Sequence, residues 1–250
     1  MATEPAQVTI LLPTLNEAEC IGPVLEAVPA EYRAGVLVVD GGSTDGTVEI
    51  VRRLGFRAIA QEGRGLGRAI ATGIAQTTGA VILAIDSDGS HEMSEIPRMV
   101  AKIDEGYDVV IGSRYSDGPP EAGMWSPRRR STSADDTLLH AFGNRFFTWL
   151  CRLLFRVPVH DVLMGYKAFR REVFDAVTID AAEQDYDVEV LLRAHKAGFR
   201  VTELPTVEHR RIGGASKLHA GYHGLLILRV MARELLRPGH GPSRQGKSES

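Results

Sequence analysis

Four short, almost wholly apolar runs constrain this chain more than any other feature: residues 8–12, 36–39, 81–85 and 109–111. A strand with one wet face alternates apolar and polar side chains. These runs do not alternate, so both of their faces must be covered. Residues 57–60 read as a shorter strand and 201–204 as a late one. Helical patterns at 16–28, 45–54, 66–76 and 93–103 separate the early runs. In the last of these, Ile96, Met99, Val100 and Ile103 recur at the spacing of one helix face. Strands that alternate with helices in this way predict a mostly parallel sheet flanked by helices.

The 250 residues are 44% hydrophobic and 24% charged, enough for one sizeable core in a globular α/β protein. A net charge of −3 gives no electrostatic reason to expect nucleic acid as a partner. Cys20 and Cys151 make neither a disulfide framework nor a zinc site, which fits a reducing cytoplasm. Residues 1–7 lack the basic start and apolar stretch of a secretory signal. No apolar run reaches the ~18 residues of a spanning helix. The expected location is cytoplasmic, with peripheral contact at the inner membrane face left open.

In a parallel α/β sheet, ligands sit outside the carboxyl ends of the strands. Three polar clusters fall there: Pro13-Thr14-Leu15-Asn16-Glu17, Asp40-Gly41-Gly42-Ser43-Thr44-Asp45 and Asp86-Ser87-Asp88. The last sets two carboxylates beside each other, which calls for a positive partner. Mg²⁺ bound to a diphosphate is such a partner, since it takes one or two carboxylates and fills its shell with water and phosphate. The convergence of the three clusters on one rim carries the functional argument.

The second half changes character. Residues 117–136 are rich in Gly, Pro, Ser and charge and read as a mobile loop. Helical patterns resume at 138–155, 187–197 and 222–236, and 237–250 reads as a disordered tail. The helix at 222–236 has two readings: packing on the domain's own core, or resting on a membrane by Leu225, Leu226, Leu228, Met231 and Leu235.

These segments, together with Gly112-Ser113-Arg114-Tyr115, Gly165-Tyr166-Lys167-Ala168-Phe169-Arg170 and Arg211-Ile212-Gly213-Gly214-Ala215-Ser216-Lys217, resemble glycosyltransferase family 2. That family comprises nucleotide-sugar transferases of GT-A fold. The nearer likeness is to the soluble catalytic domain of dolichyl- or polyprenyl-phosphate mannose or glucose synthases, over residues 8–236. The resemblance implies a Rossmann-like, single α/β domain over residues 1–236, with acceptor-side helices toward its C-terminus. It also implies Mg²⁺ or Mn²⁺ as cofactor and a nucleotide-sugar donor such as GDP-mannose or UDP-glucose.

Carried over residue by residue, it implies that Pro13, Thr14, Asn16, Glu17, Asp40, Gly42, Ser43, Gly65, Arg68, Asp86, Ser87 and Asp88 hold the donor. Asp86, Asp88 and Ser90 would hold the metal. Asp86, Asp88, Arg211, Lys217 and Asp187 would form the catalytic set. Arg114, Arg128, Arg130 and Ser216 would meet a phosphorylated lipid or small-molecule acceptor. The chain departs from the family at Gly41, where a second Asp is usual, and at Ser90, where the nearer relatives often have Gln.

Other readings stand beside these. Asp45 and Asp187 are also placed to cap or charge a helix start. The turn from Glu62 to Arg68 reads as a dinucleotide motif only out of context, because it follows the third strand and not the first; the resemblance implies a place beside the donor, with Arg64 or Arg68 meeting phosphate or sugar. His91 reads as a further metal neighbour or as a structural hydrogen-bonder. The arginines at 128–130 read equally as a solvated run. The expected reaction is inverting transfer of a hexose to polyprenyl phosphate. The alternatives are a soluble hydroxyl acceptor, or donor binding without transfer.

Overall fold

The computed structural model describes residues 2–115, 138–214 and 219–237. Among these residues seven strands form one sheet: β1 (Val8–Thr14), β2 (Val36–Asp40), β3 (Arg57–Ala60), β4 (Val81–Ala84), β5 (Val109–Ser113), β6 (Lys167–Arg170) and β7 (Val201–Pro205). They lie in the order β3-β2-β1-β4-β6-β5-β7. Six run in one direction. Only β6 is reversed, pairing antiparallel with both β4 and β5.

The helices are α1 (Ile21–Ala27), α2 (Thr47–Arg53), α3 (Leu66–Ala75), α4 (Ile96–Asp104), α5 (Leu138–Phe155), α6 (Arg171–Ala176), α7 (Tyr186–Lys196) and α8 (Ala220–Leu236). The apolar runs are central because both of their faces are dry: Ile10, Leu12, Val38, Leu83 and Val110 are solvent-free. Each such side chain stabilises the fold by about 1.5–3 kcal/mol. The edge strands β3 and β7 are half-exposed, as their mixed sequences require.

The strand order reverses direction at β1, with β2 and β3 on one side and β4 on the other. This switch point opens a crevice above the carboxyl ends of β1 and β4. The mostly parallel sheet expected from the apolar runs is therefore present, and its rim is where the polar clusters stand.

Several expected boundaries shift for local reasons. The first helix starts at Ile21, not residue 16, because Asn16 adopts φ 51° and residues 17–20 close a turn through Glu17 O. The second starts at Thr47, not residue 45, after Gly46 at φ 93°. The expected helix at 187–197 starts one residue earlier, at Tyr186. The segment at 93–103 splits into a 3-10 turn (Met93–Glu95) and α4. β6 and α6 are additions that the apolar pattern does not announce. The expected mobile loop at 117–136 and the tail from 238 onward lie outside the described residues.

Candidate functional site

The first two rim loops are tied to each other by side-chain-to-backbone bonds. The Asp40 carboxylate accepts the N–H groups of Gly42 (3.0 Å) and Ser43 (3.1 Å), closing the loop after β2. Asn16 N–H donates to Ser43 Oγ, and Asn16 Oδ1 accepts from Thr44 N–H, both at 2.8 Å. Asp45 accepts from Ala18 N–H (2.9 Å) and from Thr47 N–H (3.1 Å), the first residue of α2. These bonds hold the Asp45 carboxyl below the usual carboxylate range against the opposing effect of burial. The N-cap of α2 is Gly46 and not Asp45, which braces the turn into the helix from one residue ahead of it.

The loop after β4 carries the acidic pair. Ser87 Oγ donates to Pro13 O at 2.9 Å, locking this loop onto the first. Asp88 Oδ1 accepts from Ser90 N–H (2.9 Å) and from Ser90 Oγ (2.7 Å). Asp88 Oδ2 stands 3.8 Å from Arg211 Nη1, and Asp86 Oδ2 stands 3.6 Å from His91 Nε2. His91 is buried, and neither ring nitrogen has a hydrogen-bond partner among the described residues. Its burial disfavours the charged ring, but the Asp86 carboxylate brings its pKa above the ordinary imidazole value.

Beneath the acidic loop, Lys167 at the start of β6 forms a buried ion pair with Asp187 at the start of α7. Lys167 also donates to Met164 O, and Gln184 Nε2 donates to Asp187 Oδ2 at 3.3 Å. Burial pushes the Asp187 carboxyl up to about 6 against the pull of Lys167. Asp187 was expected in the catalytic set. The structure instead turns it inward, because the reversed strand brings a lysine beneath it.

The segment 211–214 lies over the acidic loop. Arg211 Nη2 donates to both Glu17 carboxylate oxygens at 3.2 and 3.3 Å, and Arg211 Nε donates to Gly213 O at 2.7 Å. Ile212 N–H donates to Asp88 O at 2.9 Å, and Gly214 N–H donates to Glu19 at 3.1 Å. Ile212 also packs on Gly89, where a Cβ would meet its Cδ1 at 2.4 Å.

A cleft of about 550 Å³ opens between these elements. Of the expected donor and catalytic residues, Pro13, Thr14, Glu17, Gly65, Asp86, Ser87, Asp88 and Arg211 line it. Asn16, Asp40, Gly42 and Ser43 do not; they brace the rim through the bonds above. Arg68 is exposed outside the cleft, and Arg64 lines it in its place. Ser90 is a correction: it is buried, and its hydroxyl fastens Asp88 and does not face the cleft.

Arg114 is a second correction. Its Nε and Nη2 reach Asp161 at 2.7 and 2.9 Å, and its Nη1 reaches Glu208 at 2.9 Å. Burial alone would raise the Asp161 carboxyl, yet Arg114 and Asn144 hold it below the usual range. A guanidinium so engaged knits the protein together and is not presented to an acceptor. Arg128, Arg130, Ser216 and Lys217 lie outside the described residues.

Several lining residues escaped sequence reasoning, among them Gln61, Glu183, Gln184 and His223. Gln61 follows β3 directly, so the strand-end rule contained the signal. A Cβ on Gly41 would stand 3.2 Å from Gln61 Oε1, so the amide fills the space near the side chain the family usually carries there. His223, in the first turn of α8, reaches the cleft only through the fold.

Among the described residues no cluster of three or more His, Cys, Asp or Glu is arranged to hold a metal. A site of two carboxylates completed by water and diphosphate needs none. The Asp86 and Asp88 side chains are 34% and 22% exposed, both lining the cleft. Asp86 accepts no hydrogen bond from the described residues within normal reach. The donor set therefore fits a hard divalent cation.

Comparison with known proteins agrees with this geometry. The sequence profile of Glycosyl transferase family 2 matches residues 9–178. An uncharacterized glycosyltransferase of Mycobacterium tuberculosis is 36% identical over 220 residues, covering 88% of this chain and 93% of its own. A dolichyl-phosphate hexose transferase of Haloferax volcanii is 31% identical over 234 residues, covering 91% and 95%. A polyprenol monophosphomannose synthase of Mycolicibacterium smegmatis is 32% identical over 235 residues, covering 86% and 82%. Among solved structures, glucosyl-3-phosphoglycerate synthase from Mycobacterium tuberculosis, in complex with Mn²⁺, uridine diphosphate and glucosyl-3-phosphoglycerate, superposes with a TM-score of 0.71 at 19% identity. That match covers 94% of this chain and 83% of the other. The shared sheet is the GT-A fold. The chain is an enzyme of glycosyl transferase family 2.

Proposed function

We propose that this enzyme moves a hexose from a nucleoside-diphosphate sugar to a polyprenyl phosphate, with inversion at the anomeric carbon and with a divalent cation. The observation that carries this reading is the cleft itself: Asp86 and Asp88 line one wall, and Arg64 and Arg211 bring positive charge to the same space. The named relatives that act on dolichyl or polyprenol phosphates support the acceptor class.

In this reading Asp86 and Asp88 hold the cation, which supplies Lewis-acid neutralisation of the departing nucleoside diphosphate. Arg64 and Arg211 add fixed positive charge at the diphosphate. Arg211 first exchanges its contact with Glu17 for phosphate. An oxygen of the acceptor phosphate forms the new bond to the anomeric carbon as the bond from that carbon to the diphosphate breaks, and the electron pair leaves with the diphosphate. The nucleophile is already anionic, so no protein base is required and positioning carries the step. The inward pairing of Asp187 with Lys167 agrees with that economy.

A second reading keeps the donor and gives the sugar to a soluble hydroxyl. Glu183 lines the cleft and favours it, because a hydroxyl needs a base. Incubation with labelled GDP-mannose or UDP-glucose, Mg²⁺ or Mn²⁺ and a short-chain polyprenyl phosphate tests both. Metal-dependent label on the lipid phosphate is expected. Transfer confined to hydroxyl compounds would overturn the first reading.

A further inference from the structure

Nine of the eleven large hydrophobic side chains that stand exposed among the described residues belong to just two helices, α5 and α8. Scattered exposed leucines need no account, but a concentration of this size marks an interaction surface. α8 faces inward with Ile227, Val230 and Met231, which are buried. Met231 therefore leaves the membrane-side set expected from sequence. Outward, α8 shows Tyr222, Leu225 (67% exposed), Leu228 and Leu235. α5 shows Phe146, Trp149 (56% exposed) and Leu153, at the spacing of one helix face. The two helices pack together, with Phe147 against Gly224.

Among the described residues of these two helices the exposed charges have one sign. α5 contains no acidic residue, and the only one on α8, Glu234, is buried against Arg193. Arg145, Arg152, Arg156 and Arg229 are exposed and form no ion pair among the described residues. Apolar side chains flanked by arginines, with Trp and Tyr among them, are what an interfacial helix presents to a lipid surface. Each basic residue near an anionic leaflet adds favourable attraction, and the long arginine stems reach headgroups while their methylenes stay among lipid chains. A second copy of the chain would fit poorly, because a two-fold contact sets like charges against like.

The same helix leads to the cleft. His223, between Tyr222 and Leu225, lines the nucleotide-sized cavity. No described helix is long and apolar enough to cross a membrane, so the contact lies in the plane of the surface. We infer that the outward faces of α5 and α8 dock this enzyme onto an anionic phospholipid surface, with the cleft opening at headgroup level. This goes one step beyond the polyprenyl-phosphate reading and rests on it only for its purpose.

Trp149 and Trp125 are the two tryptophans, so Trp125→Phe leaves Trp149 as the sole reporter. This variant is mixed with phosphatidylcholine vesicles, with or without phosphatidylglycerol and with neither donor nor acceptor present. A blue shift of Trp149 and co-sedimentation are expected with phosphatidylglycerol only, both weakening as salt rises. Leu225→Glu and the pair Arg145→Gln/Arg152→Gln are expected to reduce partitioning by about tenfold or more, with the thermal midpoint unchanged. These side chains are exposed, so folding is kept.

Absence of binding to anionic vesicles would overturn the inference. So would a dimer in solution that Leu225→Glu converts to monomer, or binding indifferent to both variants. Turnover of a water-soluble short-chain acceptor is read separately. Its loss with vesicle binding intact would sink the transfer reading alone.

Discussion

The Asp86 carboxylate occupies the space where a side chain on Gly165 would begin: a Cβ there would stand 2.0 Å from Oδ2 and 2.6 Å from Cγ. The backbone just before the reversed strand thus serves as the floor against which one of the two acidic residues rests. Gly165→Ala should push Asp86 toward the cleft and out of register with Asp88. Because Gly165 does not have a positive φ, the cost is steric and local. A displacement near 1 Å costs on the order of 10²-fold in turnover. Mn²⁺ titration followed by electron paramagnetic resonance, together with kcat, checks this; unchanged metal affinity and rate would refute the positioning role.

Asp88→Ala removes the carboxylate that Ser90 orients and that faces Arg211. Loss of metal-dependent turnover by at least about 10²-fold is expected, since the cation supplies several kcal/mol of charge stabilisation. Far-ultraviolet circular dichroism should match the parent. Ser90→Ala should keep part of the activity, because its bond orients Asp88 and does not replace it. Equal loss in both variants would contradict this division of labour.

Lys167→Met strands a buried carboxylate. Breaking a buried pair by removing one partner costs roughly 3–5 kcal/mol, which urea unfolding can measure. Lys167→Met/Asp187→Leu should recover most of that loss. The pH dependence has a definite sign. Asp187 titrates at about 6 in the folded chain against an ordinary 3.8, so the folded state holds its proton more tightly. Its contribution is full below the ordinary value and is lost as pH rises through about 6. Asp187→Asn should flatten that part of the stability profile; an unchanged slope would refute the assignment.

Gln61 presents an amide beside Gly41, where a carboxylate is usual in the family. An amide offers both donor and acceptor to a nucleobase edge. Gln61→Ala should raise the donor KM by roughly 5- to 30-fold, the worth of one or two hydrogen bonds, with kcat little altered. Gln61→Glu should change the relative KM values of UDP- and GDP-sugars. Competition between the two nucleotides, measured by calorimetry, checks both.

The strands β1, β2, β4 and β5 are legible in sequence because burial on both faces leaves almost no polar position, Thr9 excepted, to blur the run. β6 is not, because it opens on Lys167 and closes on Arg170, and its partners are distant in the chain. The rim clusters are legible because strand ends are where polar residues emerge. The direction a charged side chain takes is a different matter. Arg114 turns inward on account of Asp161, 47 residues away, and no local spacing encodes that. His223 reaches the cleft only once α8 has packed. The Ser90 hydroxyl, in turn, found a nearer partner than any ligand.

The reversal of β6 also divides the labour of the chain. Ile111 near the end of β5 is in register with Lys167 at the start of β6, so the backbone leaves and re-enters the sheet on the same edge. Of the chain between these two strands, α5 and the residues up to Tyr166 are described, and they follow β5, while the loops after β1, β2 and β4 belong to the first half. Exchanging α5 between family members would leave the rim after β1, β2 and β4 as it is, and so would separate any contribution of this helix from that of the cleft.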